Sequence, residues 1–154
     1  MPGRLAFAWE SPTWGGGIAF YEPGSDGAVL ARAYLITAGQ FSDVLEQEMR
    51  REPGADVDLS EVVRNRQHTL GPGRYETLHL AGELDARPVV TFSAPDVDQL
   101  GIRAPAEAYV ATMAHGLRDA HGLSSDEVVD YLAGCRGIGR TRETLAGLVD
   151  GSPT

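Results

Sequence analysis

The sequence predicts a small α+β domain: a small curved β-sheet or barrel with helices outside it. Three observations carry this. Strand-like stretches fill the first two-thirds of the chain, helix-like stretches fill the rest, and one segment of helical period interrupts the strands. Residues 1–149 read as a single domain and 150–154 as a tail that frays.

Taken in order, "RLAFAW" (Arg4–Trp9) reads as a strand, "SPTWGGG" (Ser11–Gly17) as a turn, and "IAFY" (Ile18–Tyr21) as a second strand closed by Pro23, Gly24 and Gly27. "AVLARAYLI" (Ala28–Ile36) is apolar on both alternations apart from Arg32, the pattern of an interior strand. Thr37 and Gln40 then have capping-box spacing and open a helix that Pro53 and Gly54 stop. "SEVVRN" predicts a short helix. "YETLHLAGE" and "RPVVTFSA" predict a hairpin turning near Asp85. Pro105 suits the first turn of a helix running to about His121, Ser124 and Glu127 form a second capping box, and "RETLAGLV" predicts a last short helix.

The 154 residues are 42% hydrophobic, enough for one real core. The 13 basic residues, all arginine, face 22 acidic ones, a net charge of −9. That balance argues against a nucleic-acid or anionic-membrane surface. Arginine without lysine, with abundant alanine and glycine, is the usage expected of a high-GC bacterial genome. The single cysteine, Cys135, rules out an intrachain disulfide and suits a reducing cytoplasm. No stretch has the roughly 18 apolar residues of a membrane span, and "MPGRLAFAWESP" lacks the apolar core of a signal peptide.

Metal chemistry finds little footing. His68, His79, His115 and His121 form no His-x-x-x-His pair, and His115 and His121 lie roughly 240° apart around a helix. No cage for a zinc-dependent hydrolase or deacetylase assembles from this spacing. No Gly-x-Ser-x-Gly occurs, and "WGGG" lacks the lysine of a phosphate loop. It reads either as a tight turn feeding a strand or as a backbone wall for a ligand.

One carboxylate stands out. At about 100° per residue, Phe41, Val44, Leu45 and Glu48 fall in one apolar stripe, whereas Glu46 points away. A carboxylate buried there without a cation has its pKa raised and can move protons near neutral pH. The alternatives are that Glu48 reaches solvent in the last turn, or pairs with Arg50, Arg51 or Arg74.

"SPTWGGGIAFYEPG", "ARAYLITAGQFSDVLEQEM", "GRYETL" and "PAEAYVATMAHGLRDAHGLSSDEVVDYL", in that order, resemble the γ-glutamylcyclotransferase-like proteins from about Arg4 to about Leu132. The most specific element is Gln47-Glu48 at the helix end. The resemblance implies a small mixed barrel-like sheet with flanking helices, no metal or cofactor, and a γ-glutamyl small molecule as partner. It makes Glu48 the general acid/base of an intramolecular reaction. The substrate's α-amino group attacks its own γ-carbonyl, releasing an amine and 5-oxoproline. The resemblance also makes Tyr75 and Tyr109 site-facing; in the wall reading of "WGGG", Trp14, Gly15 and Gly16 are the residues that would lie against the substrate.

The family's first strand ends in a Tyr-Gly-Ser-Asn-type loop whose amides hold the substrate, and no such motif occurs in these residues. A truncated start, a sheet rebuilt around "RLAFAW", or an open sheet edge that pairs two copies are the structural expectations that follow. The leading function is a γ-glutamylcyclotransferase-like enzyme. Its alternatives are a catalytically impaired relative serving as a binding or interaction module, and a hydrolase using Glu48 to activate water.

Overall fold

The computed structural model describes residues 1–151. It is an α+β protein of two compact units, one formed by Met1–Pro2 and Ala31–Asp96, the other by Gly3–Leu30 and Val97–Thr154. The strands do not close into the expected barrel. Among the described residues they form a two-stranded and a three-stranded sheet, both antiparallel.

In the second unit, β1 (Arg4–Ser11) pairs with β2 (Gly16–Glu22), from Arg4 opposite Glu22 to Ala8 opposite Ile18. Ala6, Phe7 and Ala8 are all fully buried, because both edges of β1 are occupied. On the side away from β2, the amide of Phe7 donates to the Arg136 carbonyl at 2.8 Å, and the amides of Arg103 and Trp9 bond to Phe7 and Gly101 carbonyls at 3.0 Å each. A bulge follows Ala8, with Trp9 at φ 54°, a left-handed conformation unusual for an aromatic residue.

Phe7 enters the core of this unit with Val110, Leu117, Val128, Leu132, Leu145 and Val149. These come from α3 (Glu107–His121), α4 (Ser125–Ala133) and α5 (Arg142–Asp150). Pro105 lies just ahead of α3, whose cap is Ala106. The Ser124/Glu127 capping box forms as expected. α5 reaches Asp150; the tail predicted beyond it falls, at 152–154, outside the described residues.

In the first unit, α1 (Ala38–Glu48) opens on the Thr37/Gln40 capping box. The short α2 (Ser60–Asn65) leads into a three-residue β3 (Gln67–Thr69), which the sequence did not announce. β3 pairs with β4 (Thr77–Leu84), and β4 with β5 (Arg87–Ser93). Asp85 and Ala86, at φ 50° and 58°, turn the hairpin where it was expected. Leu45, Val62 and Leu78 are the buried centre, ringed by Phe41, Met49, Val57, Leu80 and Phe92.

The expected interior strand at Ala28–Ile36 does not form. Only Val29 and Leu30 are drawn toward a core, and Ala31 to Thr37 is an exposed stretch without secondary structure. Its apolar pattern is that of a strand, but no other strand lies against it in the described residues.

Candidate functional site

Trp14 and Gly15 form the apex of the β1–β2 hairpin and Gly16 opens β2, and Tyr109 meets the Trp14 ring from the first turn of α3. The Trp14 and Tyr109 rings lie 5.1 Å apart at 60°, and Tyr109 meets Phe7 edge-on at 6.4 Å. The Tyr109 hydroxyl accepts the Ala19 amide at 3.2 Å. Burial raises the phenol's pKa and outweighs the opposing effect of that hydrogen bond, so the hydroxyl keeps its proton at neutral pH. Trp14 is 36% exposed. The pair is therefore a partly open aromatic platform with a phenol beneath it, a surface suited to the apolar stem of a small ligand.

The glycines of "WGGG" serve close packing. Gly15 adopts φ 71°, which the turn requires. A Cβ on Gly17 would lie 2.0 Å from the Arg103 carbonyl oxygen, and one on Gly16 2.6 Å from the Ala106 nitrogen. Nor is the apex a nest of free donors. The Trp14 amide points at Ser11 Oγ at 3.4 Å, the Gly15 amide donates to the Ser11 carbonyl at 2.8 Å, and the Gly17 amide to the Ala104 carbonyl at 2.9 Å. These amides hold the hairpin together and cannot also hold a developing oxyanion.

The other unit holds Glu48 and Tyr75. Glu48 is the last residue of α1 and is exposed, contrary to the buried position expected of it. The buried side of α1 runs through Phe41, Ser42, Leu45 and Met49, with Glu46 half-buried at its margin. Relative to the stripe inferred from Phe41, Val44, Leu45 and Glu48, the helix is turned by roughly 65°. Val44, 44% exposed, is on the open side with Glu48. Ser42 can be buried because its hydroxyl donates to the Ala38 carbonyl at 2.9 Å and accepts the Val57 amide at 2.8 Å. The Glu48 carboxylate has no ion pair or side-chain hydrogen bond among the described residues.

Tyr75 lies two residues before β4. Its half-buried ring packs edge-on against Phe92 at 5.9 Å, with the Arg74 guanidinium 5.2 Å above its centroid. The carboxylate that is truly buried in this unit is its neighbour, Glu76, at 3% exposure. Glu76 accepts the Gly73 amide at 2.5 Å and an ion pair from Arg51. The "GPGR" turn wraps it so closely that a Cβ on Gly71 or Gly73 would meet its carboxylate at 2.5 or 2.6 Å. The sequence signal for Glu76 was the pair of glycines around Pro72, which read only as a turn.

No three His, Cys, Asp or Glu side chains come together as a metal site among the described residues. None of their helices is long and apolar enough to cross a membrane.

No family model and no solved structure matches the chain. It is similar to the protein named histone deacetylase 5 of Arabidopsis thaliana, at 30% identity over 151 residues. The match takes in 86% of this chain but only 23% of that protein. The chain thus spans about a quarter of the length of the curated relative it matches.

Proposed function

We propose that the chain is a γ-glutamylcyclotransferase-like module that takes a γ-glutamyl amine or amide, with Glu48 as its proton-transfer group. What supports this is the ordered run of motifs from about Arg4 to about Leu132. That motif order is the observation that carries it; the Glu48 carboxylate stands at the helix end the motifs mark, engaged by no cation among the described residues, but open to solvent rather than on the buried face. The carboxylate takes a proton from the substrate's α-ammonium group. The freed amine then attacks the γ-carbonyl carbon, the bond to the leaving amine breaks as Glu48 returns the proton to it, and the ring nitrogen gives up its second proton, so that the amine leaves as ammonium and 5-oxoproline keeps one N–H. Ring closure within one molecule supplies the proximity, worth several kcal/mol in such reactions. Tyr75, packed against Phe92 in the same unit as Glu48, is the aromatic residue of the reading; Trp14 and Tyr109 belong to the other unit and form an aromatic platform there.

A second reading, a catalytically impaired relative acting as a binding or interaction module, is favoured by the hairpin apex. Trp14, Gly15 and Gly17 spend their amides inside the protein, so the donors for an oxyanion are missing from that loop. The first reading gives slow turnover that depends on Glu48, and the second gives binding alone. A panel of γ-glutamyl amines, amides and dipeptides assayed for 5-oxoproline separates them. Slow release that disappears in Glu48→Gln supports the enzyme. Binding without release supports the module. Fast release unaffected by Glu48→Gln removes Glu48 from the mechanism.

The similarity to a much longer plant protein fits a module that occurs within larger chains. Zinc-dependent deacetylation needs a His/Asp cage, which the described residues do not bring together.

A further inference from the structure

Ala31–Ile36 is the largest unused feature of the molecule. Every residue of it is exposed, with Tyr34 at 72%, Leu35 at 79% and Ile36 at 43%. No backbone amide or carbonyl of the stretch is hydrogen-bonded among the described residues. Its neighbours are engaged: the Leu30 amide donates to the Tyr131 hydroxyl at 3.3 Å, and Thr37 caps α1. A solvated run of Tyr, Leu and Ile with free backbone groups is the template onto which another strand adds.

The geometry points to a second copy of this chain as the occupant, paired antiparallel through Ala31–Leu35 across a two-fold axis at Ala33. The stretch is self-complementary in that register. Ala33 faces its own copy, Ala31 faces Leu35, and Arg32 faces Tyr34 twice over, a cross-strand cation–π pair. A register centred on Arg32 would oppose two like charges. One centred a half-step earlier would draw in Val29 and Leu30, which are already committed to a core. A ribbon this short buries less than a standard interface, so the dimer is weak and concentration-dependent. With a net charge of −9 on each copy, added salt screens the repulsion and strengthens it.

This proposal is independent of the cyclotransferase reading, since it is read by mass and cross-linking rather than by 5-oxoproline. Light scattering across a concentration series should show a dimer that grows with salt and is lost in Ala33→Pro, with circular dichroism confirming that the variant folds. In a Cys135→Ser background, Ala33→Cys should cross-link to itself under mild oxidation at least ten-fold faster than Ala31→Cys, whose partner is Leu35. The second route does not depend on the proline variant. A monomer at every concentration, a dimer that survives Ala33→Pro, or equal cross-linking at 31 and 33 would overturn the pairing.

Discussion

Arg51 and Glu76 form an ion pair in which one partner is half in water and the other almost wholly out of it, at 53% and 4% side-chain exposure. Such a pair is asymmetric in what its loss costs. Arg51→Ala leaves a buried carboxylate with the Gly73 amide as its remaining partner, whereas Arg64→Ala breaks a pair with Glu61 that is 64% and 40% exposed. Arg51→Ala should destabilise by about 1–3 kcal/mol and Arg64→Ala by less than about 0.5 kcal/mol. Urea unfolding midpoints decide it, and equal shifts would show that the Arg51 pair contributes nothing.

Glu48→Gln changes an exposed helix-end residue, so the melting temperature should stay within the range of surface substitutions, about 0.5 kcal/mol. Release of 5-oxoproline should fall by on the order of 10²–10⁴. Glu46→Gln, at the half-buried margin of the helix, is the control and should leave turnover intact.

Tyr109→Phe removes the acceptor of the Ala19 amide and should cost about 1–2 kcal/mol. Trp14→Ala should cost less stability, because a third of the ring is already in water, yet should weaken ligand binding more. Thermal melts with and without a γ-glutamyl ligand separate the two. A Trp14→Ala variant that binds normally would remove the platform from the site.

Burial pushes the Cys135 thiol from an ordinary value of 9.0 up to about 11. The unfolded chain therefore loses this proton before the folded one does. Stability from this group is fully present below pH 9 and is lost as pH rises toward 11. Two units correspond to about 3 kcal/mol. Desolvation raises Tyr109 and Tyr131 as well and adds loss in the same direction. Cys135→Ala should flatten part of the alkaline fall in unfolding free energy, and an unchanged pH profile would contradict the assignment.

Chelators should leave the melting temperature unchanged, because no metal-ligating group of three forms among the described residues. One equivalent of zinc by elemental analysis, with a melting shift on its removal, would reverse that expectation.

Most elements were legible because their signals are local. Both capping boxes, the Asp85 turn and the helices at Glu107, Ser125 and Arg142 follow from spacing within a few residues. What was misread depends on partners far away in the chain. Phe41 and Leu45 belong equally to a stripe with Val44 and Glu48 and to one with Ser42 and Met49. The choice rests on Val57, whose amide makes a buried Ser42 tolerable. Glu76 was invisible as a buried charge because its cation, Arg51, is 25 residues away. "ARAYLI" has the residues of a strand, but a strand is defined by what lies beside it.

The unit built from Gly3–Leu30 and Val97–Thr154 is discontinuous in the chain, with Ala31–Asp96 inserted between its halves. On the ribosome, the β1–β2 hairpin emerges first and must wait for Gly101, Arg103 and Arg136 before the second edge of β1 is covered. The inserted unit, contiguous but for Met1–Pro2, has all its strands and helices in the nascent chain by then. Translation order and folding order thus differ: Ala31–Asp96 can settle while the β1–β2 hairpin made before it still waits for segments made after it. A chain released early leaves the Ala6–Ala8 edge exposed, and that edge is the part quality-control factors would meet.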